Sequence, residues 1–324
     1  MSFPQARLAP HGGATIGSVA PATALTWDGR TLTAADLATE ESVRLAPVRL
    51  YHYGYERRLY EANGKERIEP VWGLAALDED GLVLADIPGN WHDADLDLFA
   101  RQAGLPIIDG RRQPTAVVRA MLAGRAPGWR RIRGEPPRRA ARWRKPVGIG
   151  AGVVGGGIMV YLVANGMGSA WRGLSMFGRL IADFAEVKWL LLASSPLALV
   201  LRPLTGRLHR RRVRSGVVLG SPGGTQLVVK NRSLWGIRGK EAMLPIVIGR
   251  SHGLAARLQL YSYDDLSGIF VLDASGCPLL HLPGLWSPEY AHRFAERYGL
   301  ELAVHRLSKQ EYLGLVRGVR QAMP

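Results

Sequence analysis

The chain of 324 residues is long enough for roughly two domains, and with 47% hydrophobic and 21% charged residues it has the composition of a folded protein. The single cysteine, Cys277, excludes an intramolecular disulfide and a four-cysteine zinc cluster. A net charge of +15 points to a polyanionic partner, either nucleic acid or an anionic membrane surface.

Residues 1–124 form the first predicted region. Short β-type segments precede a tetrapeptide with Asp78 first and Gly81 fourth, which predicts a type I turn between two strands. A turn at Pro88 ends the second of these strands, and the apolar spacing that follows predicts an amphipathic helix. A trailing helix is predicted over residues 114–123, so this region is expected to be a β module closed by helices.

A basic segment and two apolar runs occupy the middle of the chain. Residues 125–145 contain nine Lys or Arg and one acid, residues 146–171 contain no charged residue, and a second apolar run covers residues 189–201. A helix of about 20 apolar residues crosses a bilayer, and basic loops stay cytoplasmic. We therefore predict a juxtamembrane segment at 125–145 and a two-helix transmembrane hairpin over 146–204, in the inner (plasma) membrane with both termini cytoplasmic. A buried core helix in a soluble protein is the alternative.

The arginines that flank this hairpin are predicted to contact lipid headgroups or another anionic surface, because each gains about 1 kcal/mol near an anionic leaflet. The residues concerned are Arg138, Arg139, Arg142, Arg144, Lys145, Arg207, Arg210, Arg211 and Arg212. Within the hairpin, Gly148, Gly152 and Gly156 lie four apart, a spacing that favours close packing of membrane helices and leaves homo-oligomerisation open.

An internal repeat is the most informative feature of the sequence. Residues 73–105 align without a gap on residues 268–300, with 12 identities in 33 positions, far above the two or three that composition predicts by chance. Residues 205–324 are therefore predicted to be a second module with its own trailing helix. Cys277 aligns with Leu82, a position expected to be a buried strand residue. The repeat signature comprises Asp78, Gly81, Pro88, Trp91, Asp273, Gly276, Pro283 and Trp286.

A β domain that ends in a strand, a Leu/Ile-Pro-Gly-x-Trp turn and an amphipathic helix resembles the bacterial pleckstrin-homology-like (PH-like) domains of small membrane proteins. The resemblance covers residues 22–105 and 217–302. It implies a bent β sandwich capped by a helix, a role in membrane-proximal binding or scaffolding, and no shared catalysis. It also implies that basic residues near an early hairpin, here Lys230 and Arg232, hold lipid phosphates, although a polar strand edge is the alternative.

The expected fold class is α+β, with two antiparallel β modules, each closed by a C-terminal helix and separated by the transmembrane hairpin. The expected function is that of a membrane-anchored, non-enzymatic binding or scaffold protein. It would present both modules at the cytoplasmic face to an unknown protein partner or to anionic lipid.

Two other functions stay open. Ser251, in Gly-Arg-Ser-His-Gly, follows an apolar segment as in a nucleophile elbow, so a membrane-attached serine hydrolase is the first alternative. Its candidate partners are Asp264, Asp265 and Asp273 as orienting acids and His281, His292 and His305 as bases. The second alternative is a soluble nucleic-acid-binding protein with arginine-rich arms, although the sequence predicts no specific recognition of nucleic acid.

No cofactor and no metal site are predicted. None of the eight histidines pairs with another histidine at helical spacing or with the cysteine, which are the usual patterns of metal ligands.

Overall fold

The computed structural model describes residues 6–60, 66–134, 212–221, 224–238, 241–243 and 245–322. These residues belong to one compact unit built from both ends of the chain, and a second unit, Arg138–Arg211, lies outside the described ranges. We call the part before residue 135 the N-terminal half and the part after residue 211 the C-terminal half.

The N-terminal half contains nine strands and two helices in its described residues. They are β1 Ala6–Leu8, β2 Thr23–Trp27, β3 Leu32–Asp36, β4 Glu41–Leu45, β5 Arg49–Tyr60, β6 Glu66–Leu77, β7 Val83–Pro88, α1 Asp93–Ala103, β8 Ile107–Asp109, α2 Thr115–Ala123 and β9 Arg125–Arg131.

The C-terminal half contains nine strands and two long helices in its described residues. They are β10 Val218–Gly220, β11 Thr225–Lys230, β12 Ser233–Arg238, β13 Glu241–Ala242, β14 Ile246–Val247, β15 Arg257–Tyr263, β16 Leu266–Leu272, β17 Pro278–Pro283, α3 Pro288–Tyr298, β18 Glu301–Arg306 and α4 Lys309–Gln321.

The strands form three sheets. Strands β1 to β4 make an antiparallel meander, and β15 to β18 make a second four-stranded sheet in the order β17-β16-β15-β18. The third sheet has ten strands, in the order β10-β11-β12-β13-β5-β6-β7-β9, with β14 paired to β12 and β8 paired to β5. Glu241 of β13 pairs with Leu59 of β5. The two halves therefore share one sheet.

The two copies of the sequence repeat adopt the same sequence of elements. Strands β5, β6 and β7 are antiparallel, and after α1 the chain returns as β8, parallel to β5. Strands β15, β16 and β17 are likewise antiparallel, and after α3 the chain returns as β18, parallel to β15. Both helices end at a left-handed glycine, with φ of 65° at Gly104 and 66° at Gly299. A side chain at this conformation is strained, which explains the glycine in both copies.

The shared Asp and Gly residues make the same turn in each copy. The backbone N–H of Gly81 donates to the carbonyl of Asp78 at 3.2 Å, and that of Gly276 donates to Asp273 at 3.1 Å. Oδ1 of Asp78 accepts from the N–H of Leu82 at 2.7 Å, and Oδ1 of Asp273 accepts from that of Cys277 at 2.9 Å. An aspartate that bonds the backbone beyond it stabilises a turn of this kind.

A third glycine that both repeat copies share is required by side-chain packing. Gly73 lies opposite Tyr53 in the β5–β6 pair, and Gly268 lies opposite Tyr261 in the β15–β16 pair. A Cβ atom at either glycine would collide with the ring of the facing tyrosine. The tyrosine therefore covers a position that only glycine leaves open.

The halves also pack through a joint hydrophobic cluster. Leu82, Ala120 and Ala126 from the N-terminal half are buried against a group of apolar and aromatic residues from β15, β16 and α4. Tyr312 of α4 is fully buried and makes ring contacts with Tyr261 at 5.5 Å between centroids. Close packing at this junction joins the halves into one unit.

The prediction of two PH-like modules separated by a transmembrane hairpin is wrong. The described chain is mostly β, and it contains no helix that is both long and apolar enough to cross a membrane. Its longest helix, α4, has 13 residues, or about 20 Å, and is shorter than a bilayer core requires. The predicted location in the inner membrane is wrong for the same reason. The hairpin that was predicted over 146–204 itself lies outside the described residues.

The predicted module architecture also differs from the observed one. Antiparallel strands closed by one helix and followed by a trailing helix were expected, whereas each copy inserts between the two helices a strand that is parallel to its first strand. The reason is that a helix following β7 or β17 carries the chain back across the sheet, so that the next strand enters in the same direction as the first. Strands β10 to β13 extend the sheet of the other half, so the two halves are joined through one sheet.

Candidate functional site

A cavity of about 640 Å³ lies where the two halves meet. Its walls come from β5, β7, β9 and α2 of the N-terminal half and from β12, β13 and β17 of the C-terminal half. This volume lies within the range of about 300–1,000 Å³ that is typical of small-molecule sites. Residues far apart in sequence, such as Tyr53 and Trp235, are brought to one surface only by the shared sheet.

The polar lining of the cavity has an excess of positive charge. Five arginines and three carboxylates contribute to its walls. The arginines are Arg58, Arg119, Arg125, Arg131 and Arg238, and the acids are Glu56, Asp86 and Glu241. Because cavity walls of low polarity focus the field of such charges, the cavity should attract anions.

Arg125, the first residue of β9, differs from the other arginines of the wall. Among the described residues no carboxylate lies within ion-pair distance of its guanidinium, and its Nε has no hydrogen-bond partner. Burial, together with the positive charge of Arg238, lowers the pKa of Arg125 to about 10. At neutral pH the side chain therefore remains charged in a site that penalises its charge.

The position of Arg125 is set by contacts on both sides of the junction. The hydroxyl of Tyr312, in α4, accepts from the backbone N–H of Arg125 at 3.1 Å and donates to its carbonyl at 3.0 Å. The guanidinium lies over the ring of Trp129, with Cζ 3.6 Å from the centroid, a cation–π contact. The C-terminal helix thus holds the backbone, and the tryptophan supports the side chain.

Three other arginines of the wall are paired with acids, and the first of these pairs joins Nη1 of Arg58 to Oε1 of Glu66 at 3.4 Å. Nη2 of Arg119 lies 2.6 Å from Oε1 of Glu241, a contact that joins α2 to β13. Nε of Arg131 lies 3.3 Å from Oδ2 of Asp86, whose Oδ1 accepts from the hydroxyl of Tyr53 at 2.7 Å. Burial and the Asp86 carboxylate raise the pKa of Tyr53 well above its usual range, so Tyr53 stays a donor. These pairs neutralise part of the wall and leave the charge of Arg125 uncompensated.

Four aromatic side chains contribute to the remaining wall, which is otherwise mostly aliphatic. Tyr53, Tyr55, Trp129 and Trp235 line the cavity. The indole N–H groups of both tryptophans are buried and have no hydrogen-bond partner within the described ranges. The wall therefore offers flat aromatic surface together with a net positive charge, a combination that suits a ring bearing an anionic group.

Acid–base chemistry has little support at this site. His281 lies in the wall, but its Nε2 is engaged with the hydroxyl of Tyr261 at 2.7 Å, and burial lowers its pKa to about 3. A general base should have a pKa near the working pH, which His281 does not have. His281 is therefore not suited to act as a general base.

Comparisons of this chain with protein-family models, curated proteins and solved structures gave no match. The function is therefore inferred from the geometry of the site.

Most of the predicted anionic-surface residues lie outside the described ranges. Of the flanking group only Arg212 is described, and it is exposed. Lys230 and Arg232 are exposed at the turn between β11 and β12, where Asn231 and Arg232 have φ of 51° and 58°. Contact of these residues with an anionic surface stays a prediction. Gly148, Gly152 and Gly156 are also outside the described residues.

The Ser251 motif lies in a loop between β14 and β15. A nucleophile elbow requires a strand, a sharp turn and a helix, but here the chain continues from the loop into strand β15. Among the predicted partners, Asp273 is buried beneath this loop, and its Oδ2 lies 2.8 Å from Nδ1 of His252, a histidine within the motif that was not a candidate base. Cys277, which was expected to be buried, is exposed.

The sequence reasoning missed the residues that define the cavity. Arg125, Trp129 and Arg131 were assigned to a juxtamembrane segment, whereas they belong to strand β9. No local pattern identifies this strand, because Pro127 and Gly128 in its middle form a pair that is typical of turns. A tryptophan beside basic residues is also common at a membrane surface.

Proposed function

We propose that the protein is a non-enzymatic binding protein that holds a small organic anion in the cavity between its two halves. The observation that carries this proposal is Arg125, a largely buried cation without a carboxylate partner among the described residues. Burying an unpaired charge costs several kcal/mol in general, and an anionic ligand would recover that cost.

The size and wall chemistry limit the class of ligand. About 640 Å³ accommodates a molecule of one to three rings but not a folded protein segment. Trp129 and Trp235 provide surfaces for stacking. Arg125 and Arg238 provide positive charge that attracts a carboxylate, sulfonate or phosphate. A ring that carries one such group matches both features.

Binding of 8-anilinonaphthalene-1-sulfonate, an aromatic sulfonate, tests the proposal. We expect saturable fluorescence enhancement with one site per chain. N-phenyl-1-naphthylamine, which has the same rings without the charge, should bind at least about tenfold more weakly, because a charge-assisted contact contributes about 1.5–3 kcal/mol.

Before ligand is added, the near-ultraviolet circular dichroism spectrum should show the signal of packed aromatic side chains, which separates site binding from adsorption to a partly unfolded chain. Equal affinity for the charged and the neutral compound would contradict the proposal. So would binding of the sulfonate with many equivalents per chain.

A further inference from the structure

The turn of the second repeat copy carries a cluster of side chains that the first copy lacks. Asp273 is fully buried at the base of this turn. Nδ1 of His252, from the β14–β15 loop, lies 2.8 Å from its Oδ2, and Cys277 lies at the end of the turn. The ligand-type atoms of these three residues all lie within 4.8 Å of one another.

The corresponding turn of the first copy is used for packing. Its Asp80 carboxylate lies 2.7 Å from Nζ of Lys309, and the carbonyl of Gly81 accepts from Arg320 at 2.9 Å, both residues of α4. Leu82, which occupies the place of Cys277, is buried with 1% exposure. In the second copy the same position is an exposed thiol beside an exposed imidazole. The two turns have the same backbone and different surroundings.

The three groups differ in type, and together they suit one class of metal ion. A thiolate, an imidazole and a carboxylate are the side chains that bind Zn²⁺, with metal–ligand distances of about 2.0–2.3 Å. Ligand atoms around one ion must therefore lie within about 4 Å of each other. The side chains of His252 and Cys277 are exposed, so rotation can close the remaining distance when the ion replaces the direct contact between His252 and Asp273. The buried carboxylate provides a fixed third point.

Asp273 is held in place by its neighbours. Its Oδ1 accepts from the backbone N–H and the hydroxyl of Ser275 at 2.9 and 2.6 Å, and its Oδ2 accepts from the N–H of Gly253 at 3.1 Å. The hydroxyl of Ser275 and these backbone donors keep the pKa of Asp273 well below its usual range. The carboxylate is therefore a permanent anion in a fixed orientation, as ligands supported by neighbouring hydrogen bonds usually are.

We infer that Cys277, His252 and Asp273 form a surface site for Zn²⁺ or a similar divalent transition-metal ion. Binding releases the thiol proton of Cys277 to solvent, and water completes the coordination. The affinity therefore rises with pH, as is general for thiolate sites.

Titration of the untagged full chain with Co²⁺ tests this inference. Because Cys277 is the only cysteine, a near-ultraviolet sulfur-to-cobalt charge-transfer band can come from no other residue. We expect that band in the native chain, its loss on addition of Zn²⁺ and its absence in Cys277→Ser. Mg²⁺, which prefers oxygen ligands, should not displace cobalt.

Three further variants separate a built site from a thiol that binds metal alone. His252→Ala should remove the band at the same cobalt concentration, and Ser275→Ala should weaken binding by about 10- to 100-fold through loss of the support to Asp273. His305→Ala, which changes an exposed histidine of β18, should leave the titration unchanged. Absence of the band in the native chain would overturn the inference, and so would a band of undiminished affinity in His252→Ala.

Discussion

Replacement of Arg125 by methionine weakens binding of 8-anilinonaphthalene-1-sulfonate by about 10- to 100-fold, since a buried charge-assisted contact contributes about 1.5–3 kcal/mol. The same substitution leaves the free energy of unfolding unchanged or raises it by about 1 kcal/mol, because it removes a charge that burial disfavours. A residue with a purely structural role would lose stability and binding together. Fluorescence titration and urea unfolding measure the two quantities on the same preparation.

Arg130→Met provides the matched control. Arg130 is the exposed neighbour of Trp129 on the same strand, and its replacement removes the same charge with the same side chain. We expect less than about a twofold change in affinity, as for a screened surface charge. If both substitutions weaken binding equally, the net charge of the strand and not the position of Arg125 determines affinity. If neither substitution weakens binding, the sulfonate is not bound at Arg125.

Tyr312→Ala lowers the free energy of unfolding by about 3–5 kcal/mol, the usual cost of deleting a large buried aromatic side chain. The ring is fully buried, stacks on Tyr263 with 4.9 Å between centroids and contacts Tyr261. Its deletion opens the joint cluster that connects the halves. Urea unfolding followed by tryptophan fluorescence measures the loss.

Tyr312→Phe isolates the contribution of the hydroxyl. The ring remains, but both hydrogen bonds to the backbone of Arg125 are lost, so we expect a decrease of about 1–2 kcal/mol in unfolding free energy. Sulfonate affinity should fall with it because Arg125 loses its support. Tyr51→Phe is the control, since Tyr51 is equally buried and donates to Gln113 instead. A stable Tyr312→Phe variant with native affinity would show that α4 has no role in positioning the site.

The repeat shows what the sequence could predict about the fold. The turn at Asp78 was predicted from its local pattern, and the repeat extends that prediction to Asp273. The structure has turns at both positions. Such features depend on a few neighbouring residues, so they can be predicted from a single sequence. The parallel strands β8 and β18 were not predicted, because each has few residues and pairs with a strand about 50 residues earlier.

The membrane interpretation failed for a related reason. It treated residues 125–145 as a loop because nine basic residues outweighed the other signals, whereas Arg125–Arg131 is a strand that pairs with β7. Charge composition describes a segment as a whole. It does not show that Arg125 packs on Trp129 while Arg130, on the same strand, faces solvent. Only the tertiary arrangement separates Arg125 from Arg130.

The candidate site lay beyond prediction for the same physical reason. The cavity requires β12 and β13 to extend the sheet of the other half, a pairing between Glu241 and Leu59 that no local pattern indicates. The cluster around Asp273 likewise joins a loop and a turn about 20 residues apart, so its spacing matches no metal motif. Sites assembled from distant segments become visible only when the fold is known.

The most direct test of the account is ¹⁹F NMR of the chain labelled with 5-fluorotryptophan, titrated with 8-anilinonaphthalene-1-sulfonate and assigned by single Trp→Phe variants. Trp129 and Trp235 line the cavity, and Trp91 is buried in the core of the N-terminal half. We expect the resonances of Trp129 and Trp235 to shift together with one saturation curve while that of Trp91 stays in place. A saturating titration that leaves both cavity resonances unshifted would contradict the account.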